Sequence, residues 1–240
     1  MTAERQEDVN AMFNREAKHF ADSIQGQILD GKYYRGHLFE TLLSEQLKPG
    51  ADTLVLDYGC GVGSITKLIF DRGFRVEAYD PSSVNIDIAK AYRLPQERVS
   101  FHVLHDQGES LPDHRYEAVI CSSVIEFVQD PDRLLAHFYR CLKPNGILLI
   151  SFANKLSLWR LYAKIRFGKN EHYRFQNHVW TPVQFIRLLK KGGFMKTQSM
   201  SYFDSVFDKW KSMNFLNDIF FVGTLGLVVA KKQIGDYDSK

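Results

Sequence analysis

The sequence predicts an α/β fold in which one β-sheet is covered by helices on both faces and preceded by a helical segment. Between Asp52 and Phe152, short apolar runs alternate with segments of helical periodicity, the rhythm of repeated strand-helix-strand units. A glycine-rich turn follows the first apolar run, and 240 residues with a 45% hydrophobic share are enough for one sizeable core. These observations indicate a parallel sheet within one main domain.

Residues 1–50 are predicted to form an N-terminal helical cap of two amphipathic helices. Their apolar residues recur at roughly helical spacing. They are Met12, Ala17, Phe20, Ile24 and Ile28 in the first helix, and Leu38, Leu42, Leu43 and Leu47 in the second. Lys48-Pro49-Gly50 ends the second helix. Tyr33 and Tyr34, between the helices, either close over a bound ligand or pack as ordinary core residues.

Five buried strands are predicted in the first half of residues 51–240. They are Thr53–Leu56, Phe74–Tyr79, Val99–Leu104, Tyr116–Cys121 and Gly146–Phe152. Asp130-Pro131 begins a helix before the fifth strand, because Asp is a preferred N-cap and proline suits the first helical position. The predicted buried face of that helix includes Phe138 and Leu142, and Pro144-Asn145-Gly146 ends it.

The strand-helix rhythm stops after Ala153. The residues from about 154 to 180 are aromatic and basic and are predicted to form an insertion on the substrate side of the domain. Thr181-Pro182-Val183-Gln184 is a capping box that begins another helix, which ends at Gly192-Gly193. Two more strands, Phe194–Tyr202 and Phe221–Lys231, complete the domain at 51–240.

Composition excludes several classes of protein. The net charge of +3 is weak, so no nucleic-acid partner is expected. Cys60, Cys121 and Cys141 have neither metal-ligand spacing nor the arrangement of a disulfide framework, so no metal is expected and a reduced compartment fits best. The polar segment Met1–Asn10 is no secretory signal, and the apolar run within Ile219–Ala230 is too short for a membrane-spanning helix. The sequence thus predicts a cytoplasmic protein.

The clearest chemical signal is the run Val55–Gly63, where a buried strand continues directly into G-x-G-x-G. Glycines at this point let the backbone turn sharply and approach a ligand closely. Asp80 follows the second strand, roughly 20 residues later, where a carboxylate accepts hydrogen bonds from ribose hydroxyls. The alternative for Asp80 is a turn residue before Pro81. Asp57, beside the glycines, is placed to fix the turn and to meet a cationic group.

A nicotinamide dinucleotide enzyme is the natural competitor for this pattern. Its turn has a third small residue in the spacing G-x-G-x-x-G/A, and that position is Ser64 here. The spacing G-x-G-x-G with the preceding Asp57 therefore fits a dinucleotide less well.

The run Val55–Gly63 resembles the first motif of the class I S-adenosylmethionine-dependent methyltransferases. The similarity covers about residues 50–200 and is closest to the small-molecule type, the O-methyltransferases of quinone and natural-product biosynthesis. Asp106–Pro112 is similar to the family's D-A-E-x-L-P segment, and Tyr116–Pro131 to its F-D-x-V-x-x-x-x-V-L-E-H-V-x-D-P stretch. Leu142–Gly146 resembles the L-K-P-G-G turn, and Glu77–Asp80 the end of the second strand.

The resemblance implies a Rossmann-like, seven-stranded, mostly parallel sheet with the last strand antiparallel, an N-terminal helical cap and an insertion after the fifth strand. It also implies S-adenosylmethionine as cofactor and S-adenosylhomocysteine as product. The cofactor-binding residues carried over are Asp57, Gly59, Gly61 and Ser122 at the methionine end, Asp80 at the ribose, and Asp106, Gln107 and Gly108 at the adenine. Cys60 and Gly63 of the same glycine turn are also expected to bind the cofactor.

Two positions depart from the family pattern. Gln107 stands where D-A-E places its aspartate, so the adenine contact passes to Gln107 or to Asp106. Phe127 stands where many relatives have the histidine of L-E-H-V, a candidate base in the quinone-type enzymes. The candidates left for a catalytic base are His172 and His178 in the insertion, and Glu126. The alternative for the two histidines is a surface or structural role.

The segment 155–169 is aromatic, apolar and basic. As a helix it would either contact a membrane surface, cover a greasy substrate or serve as a lid packed on the domain. The predicted function is methyl transfer from S-adenosylmethionine to a small-molecule acceptor, most simply O-methylation of a partly hydrophobic metabolite in biosynthesis. The alternatives are N-methylation of a small amine, a protein or RNA methyltransferase, and an inactive partner protein that binds the cofactor. Cys121–Val124 stands where the N/D-P-P-Y/F tetrad would be, which disfavours the protein or RNA enzyme.

Overall fold

A seven-stranded sheet lies at the centre of the computed structural model, which describes residues 3–29, 33–106, 108–157, 175–202 and 223–233. The strands are β1 (Leu54–Tyr58), β2 (Arg75–Asp80), β3 (Val99–Val103), β4 (Tyr116–Cys121), β5 (Leu142–Ala153), β6 (Phe194–Tyr202) and β7 (Leu225–Lys232). Their order across the sheet is β3-β2-β1-β4-β5-β7-β6.

The direction of the strands agrees with the predicted topology. β1 pairs in parallel with β2 and β4, and the parallel pairing extends outward to β3 on one side and β5 on the other. The last strand, β7, lies between β5 and β6 and is antiparallel to both. The Rossmann-like, mostly parallel sheet with an antiparallel last strand is therefore confirmed.

Helices cover both faces of this sheet. They are α1 (Ala3–Leu29), α2 (Tyr34–Gln46), α3 (Ser64–Asp71), α4 (Ser83–Lys90), α5 (Pro131–Cys141) and α6 (Pro182–Lys191), with a 3-10 turn at Ile125–Phe127. The predicted helix starts are present: Asp130 accepts a hydrogen bond from the Arg133 amide, and Thr181 and Gln184 form the full capping box. None of the helices in these ranges is long and apolar enough to cross a membrane.

Two hydrophobic cores lie on opposite faces of the sheet. Leu56 of β1 packs into one with Phe138 of α5, while its neighbour Val55 packs into the other with Phe39 of α2. Alternate side chains of a strand point to opposite faces, so every residue of β1 is buried. This continuous apolar run is the pattern by which the strand is recognised in the sequence.

The boundary between α5 and β5 differs from the prediction. The helix ends at Cys141 and not at the Pro-Asn-Gly turn, because Leu142 already pairs with Tyr116 of β4. The register then shifts before Ile147 pairs with Ala118, and Asn145 adopts a φ of 63° in this irregular stretch. Asn tolerates the left-handed region better than most residues. The Pro-Asn-Gly residues therefore form a bulge within β5 and do not end the helix.

The insertion leaves and rejoins the domain at one place. Asn154 forms a bridge with Trp180, the Lys155 amide donates to the Trp180 carbonyl over 2.8 Å, and the Trp180 amide donates to the Ala153 carbonyl over 3.2 Å. Residues 158–174 lie outside the described ranges, and so do most of the segment 155–169 and the first part of the predicted strand at 221–231.

Candidate active site

A cavity of about 490 Å³ opens at the carboxyl ends of β1, β2 and β4. The loops after these strands form its floor, and one face of α1 forms its opposite wall. The strand order reverses beside β1, and open α/β sheets bind ligands in the crevice at such a switch point. The fold therefore makes this cavity the leading candidate for a ligand site.

The glycine turn after β1 forms part of the cavity wall. A Cβ on Gly59 would lie 2.3 Å from a methyl group of Val124, so this residue must be glycine for the loops after β1 and β4 to pack. A Cβ on Gly61 would meet nothing within 4 Å, although its φ of 53° disfavours any side chain. Gly61 thus leaves open space for a ligand against bare backbone.

Gly63 has a different part in the same turn. It caps α3 with a φ of 79°, and a Cβ there would lie 2.9 Å from the Cβ of Ala89 in α4. Gly63 does not line the cavity, whereas Gly59, Cys60 and Gly61 do. Its absent side chain lets two helices pack closely beside the sheet.

Asp80 organises the floor of the cavity from the end of β2. Its Oδ2 accepts a hydrogen bond from the Gly61 amide over 2.9 Å. Its Oδ1 accepts from the Ser82 amide over 2.9 Å and from Asn85 Nδ2 over 3.1 Å. Burial raises the pKa of Asp80, while these hydrogen bonds favour the charged carboxylate. The carboxylate therefore fixes the glycine turn at the ligand-facing side.

Asp57 is a second carboxyl group at the cavity and is more deeply buried than Asp80. Its side chain accepts a hydrogen bond of 2.6 Å from the hydroxyl of Thr66 in α3. Burial raises the pKa of Asp57 to about 7; the hydrogen bond from Thr66 opposes this rise and the nearby charge of Asp80 adds to it. A cation placed beside Asp57 would lower this pKa again.

Two buried hydroxyl groups at the cavity are available for hydrogen bonds to a ligand. Ser64 Oγ, at the start of α3, and Ser122 Oγ, at the end of β4, have no hydrogen-bond partner among the described residues, and both residues line the cavity. Buried polar groups in proteins are nearly always paired. These two oxygens are therefore suited to polar groups of a bound molecule.

Arg35 is a site residue that sequence reasoning missed. It lies in α2, lines the cavity, and donates from Nη1 to Ser123 Oγ over 3.5 Å. It is the one Lys or Arg among the described cavity-lining residues. No motif marks it, because α2 reaches the cavity only through tertiary packing. The adjacent Tyr33 also lines the cavity, whereas Tyr34 packs near Tyr202.

The loop after β3 also contributes to the floor of the cavity. Leu104, His105 and Asp106 line the cavity there. The Asp106 carboxylate accepts hydrogen bonds from the amides of Gly108, over 2.7 Å, and Ser110, over 3.2 Å. Burial alone would raise the pKa of Asp106, but these hydrogen bonds together outweigh it and the pKa lies below its usual value. Gly108 supports the loop without lining the cavity, and Gln107 lies outside the described residues.

The wall opposite this floor is apolar. It consists of one face of α1, with Val9, Phe13, Ala17, Phe20 and Ile24, together with Phe127 and Val128 of the loop after β4. The rings of Phe13 and Phe127 meet edge to face with centroids 5.2 Å apart. The helical periodicity of α1 predicts a packing face, but not that part of this face borders a cavity.

Of the two candidates for a base that lie within the described residues, Glu126 lines the cavity and His178 does not. It lies in the 3-10 turn after β4 and is 1% exposed. His178 donates its backbone amide to the Glu126 carbonyl over 3.1 Å and stacks its ring on Trp180, outside the cavity lining. His172 lies outside the described residues. The described part of the chain holds no group of three or more His, Cys, Asp or Glu arranged to bind a metal.

Comparison with protein families matches residues 32–199 to the family described as Methyltransferase domain. The chain belongs to the methyltransferase family. Among solved structures, an S-adenosylmethionine-dependent methyltransferase from Thermotoga maritima covers 93% of this methyltransferase and 99% of its own chain, with a TM-score of 0.65 and 19% identity. That likeness shows the fold, and together with the family match it confirms the resemblance drawn from the motifs.

Among curated proteins, the methyltransferase is similar to ubiquinone biosynthesis O-methyltransferases from several bacteria. The relative from Rickettsia canadensis (strain McKiel) is 36% identical over 103 residues, 42% of this chain and 43% of the relative. The relative from Rhodopseudomonas palustris (strain HaA2) is 29% identical over 165 residues, 65% of this chain and 64% of the relative. The chain thus spans less than half the length of the first relative and under two thirds of the second.

Proposed function

We propose that this chain transfers a methyl group from S-adenosylmethionine to a hydroxyl oxygen of a small, partly hydrophobic acceptor. The observation that carries the proposal is the pairing of Gly61 with Asp80 at the cavity, which leaves open space above a bare glycine backbone. The family match to residues 32–199 supports the cofactor, and the O-methyltransferases among the relatives support the oxygen acceptor. A cytoplasmic location is part of the same proposal.

The residues around the glycine turn fit the ribose of this cofactor. A carboxylate has about four positions at which it accepts hydrogen bonds, and Asp80 uses three of them for Gly61, Ser82 and Asn85. The remaining position fits a ribose hydroxyl. Asp106 and His105, which line the next part of the floor, would border the adenine.

The other end of the cavity fits a methionine portion. Arg35 supplies the cation that an α-carboxylate needs, and Asp57 supplies the anion for the ammonium group. The unpaired hydroxyl groups of Ser64 and Ser122 would complete the polar contacts. When bound, S-adenosylmethionine supplies a methyl group on a positively charged sulfur, from which a nucleophile displaces it.

Glu126 is the group that we assign to the acceptor. Glu126 lines the cavity beside Phe127 of the apolar wall, in a turn held by the amides of Asn177 and His178. A hydroxyl that becomes methylated must lose its proton, and Glu126 would accept it. The apolar wall, with Phe13 and Phe127, would hold the acceptor in line with the methyl group.

N-methylation of a small amine is the second candidate function. The described cavity lining includes Glu16, Asp57, Asp80, Asp106 and Glu126 against the single Arg35. This excess of acidic groups favours a cationic acceptor, which Glu126 would hold as an ammonium before the proton is lost. The amine and the hydroxyl acceptor differ in the methylated atom, so the product distinguishes them.

The first experiment is calorimetric titration of S-adenosylmethionine and S-adenosylhomocysteine into the wild type and the Asp80→Asn variant, with NADH as control. We expect saturable binding of the first two ligands, weakened at least tenfold in the variant because Gly61 and the ribose lose a charged acceptor. Binding of NADH alone would contradict the assignment of the cofactor.

The second experiment identifies the acceptor. The enzyme and S-adenosylmethionine are incubated with fractionated metabolites, with proteins and with RNA, and each fraction is searched by mass spectrometry for the gain of one methyl group. We expect the gain on a small metabolite, and the fragment masses tell oxygen from nitrogen. A gain only on protein or RNA would overturn the proposal, and no gain in any fraction would favour an inactive, cofactor-binding partner protein.

A further inference from the structure

Helix α5 contacts the loop between β3 and β4 through three basic side chains spaced one turn apart. Arg133 pairs with the carboxylate of Glu109 over 2.6 Å, and His137 Nε2 lies 3.7 Å from the same carboxylate. Arg140, at the end of the helix, reaches the same loop. Positions 133, 137 and 140 lie on one face of an α-helix, so this face of α5 is directed at the loop that carries Asp106.

Arg140 differs from the other two because it binds the backbone of the loop. Its Nη2 donates to the carbonyl oxygens of Gly108, over 3.2 Å, and Glu109, over 2.9 Å. Its Nη1 pairs with the carboxylate of Asp113 further along the loop. The Arg140 carbonyl itself accepts from the His114 amide over 3.0 Å. One residue thus ties both halves of the loop to the end of α5.

Gly108 links this arginine to the cavity. Its amide donates to the carboxylate of Asp106, which lines the cavity, and its carbonyl accepts from Arg140 on the opposite side. Its φ of 104° lies in a region that favours glycine, and a Cβ would lie 3.3 Å from Leu111. The orientation of the Gly108 backbone, and with it the position of Asp106, therefore depends on a guanidinium group outside the cavity.

We propose that Arg140 is a positioning residue for the adenine end of the cofactor pocket. It does not touch the cavity; it holds the carbonyls of Gly108 and Glu109 so that the Asp106 side of the loop keeps its shape toward the ligand. The proposal rests on the proposed function, because it assigns the Asp106 loop to the adenine of S-adenosylmethionine.

The test measures two ligands on three proteins by calorimetry. S-adenosylhomocysteine carries adenine, ribose and the amino-acid portion, whereas 5′-deoxy-5′-methylthioadenosine lacks the amino-acid portion. The proteins are the wild type, Arg140→Met and, as matched control, Arg133→Met. Arg133 is an arginine of the same helix that faces the same loop but pairs with a side chain. Arg140→Lys is added because it keeps the charge and one donor toward the carbonyls.

We expect Arg140→Met to weaken both ligands by the same factor, about tenfold, because both contain adenine and charged hydrogen bonds to the loop are lost. Arg133→Met should bind both within twofold of the wild type, and Arg140→Lys should recover part of the loss. A merely structural role would lower the melting temperature without this shared loss of affinity.

Three results would count against the proposal. If the wild type binds both ligands and Arg140→Met binds them with affinities within twofold of the wild type, this inference is overturned and the proposed function is not. An equal loss in Arg133→Met would show a general effect of charge and would also overturn it. No binding of S-adenosylhomocysteine to the wild type would overturn the proposed function, and the inference that rests on it with it.

Discussion

At the scale of single residues, Asp57 makes the stability of the protein depend on pH. Burial raises its pKa in the folded chain from the usual 3.8 to about 7. Between these values the folded state holds a proton that the unfolded state has lost, so the free energy of unfolding falls as pH rises through this window. Across the whole window, the free energy of unfolding falls by at most about 4 kcal/mol.

We therefore expect the Asp57→Asn variant to lose this component of the pH dependence. The measurement is urea unfolding of the ligand-free proteins at pH 5 and pH 8, and the difference between wild type and variant isolates Asp57 from other titrating groups. Asp52→Asn, at an exposed position, is the control and should follow the wild type. The prediction would be contradicted if the free energy of unfolding changed by the same amount between pH 5 and pH 8 in Asp57→Asn and in the wild type.

Arg35 should contribute to the binding of the amino-acid portion of the cofactor and not to the binding of its adenosine portion. Arg35→Met is expected to weaken S-adenosylhomocysteine by about 10-fold to 100-fold, because a charged hydrogen-bond donor to a carboxylate is lost. The same variant should bind 5′-deoxy-5′-methylthioadenosine within twofold of the wild type. Calorimetry with both ligands checks this, and an equal loss for both would place Arg35 elsewhere in the pocket.

Glu126 should affect catalysis and not cofactor binding. Removal of a general base typically costs about 100-fold to 10,000-fold in rate, so Glu126→Gln should lower the turnover of the identified acceptor by at least 100-fold. Its affinity for S-adenosylhomocysteine should stay within threefold of the wild type. Glu16→Gln is the matched control from the same cavity lining. Full activity of Glu126→Gln would mean that the acceptor needs no base.

At the scale of elements, the sequence predicts best what is set locally. The capping box at Thr181 and Gln184 and the N-cap at Asp130 both appear as expected, since their geometry involves only neighbouring residues. The start of β5 at Leu142 is missed, because it depends on pairing with Tyr116 on another strand. Membrane contact through 155–169 stays a prediction.

The insertion gives a prediction that belongs to this scale. Residues 158–174 are replaced by a short Gly-Ser linker, while the pairing of Asn154 with Trp180 is kept. We expect the free energy of unfolding to change by about 1 kcal/mol or less and the affinity for S-adenosylhomocysteine to stay within threefold. Methylation of the acceptor should be lost, since the replaced residues lead directly into the segment in which Gln176 lines the cavity.

Urea unfolding, calorimetry and mass spectrometry check these three expectations separately. Loss of S-adenosylhomocysteine binding on replacement of 158–174 would show that the insertion belongs to the cofactor pocket. Unchanged methylation would show that it has no part in acceptor binding.

At the scale of the whole molecule, the sequence predicts those residues of the candidate site that lie at the ends of the strands. Asp57, Gly61, Asp80 and Ser122 come together because parallel strands end at the same edge of the sheet. Arg35 and the apolar face of α1 join them from the N-terminal cap. Their approach depends on how the two helices pack across the sheet, which no local spacing reveals.

Cofactor binding should stabilise the whole chain. A ligand that binds only the folded state at 100 times its dissociation constant adds about 2.7 kcal/mol to the free energy of unfolding. For a domain of this size that corresponds to a rise of about 5–10 °C in melting temperature. Calorimetric melting with S-adenosylhomocysteine, and with NADH as control, measures it. An unchanged melting temperature with saturating S-adenosylhomocysteine would contradict a pocket built into the folded core.

The pairing of Asn154 with Trp180 holds the two ends of the intervening segment side by side. Because the chain leaves and rejoins the sheet at one point, we expect that replacing the residues between these positions would leave the described strands and their register intact. For a flexible connection, doubling the length costs only about 0.6 kcal/mol. On the proposed function, we expect that exchanging the residues between Asn154 and Trp180 would change the acceptor and leave the cofactor pocket intact.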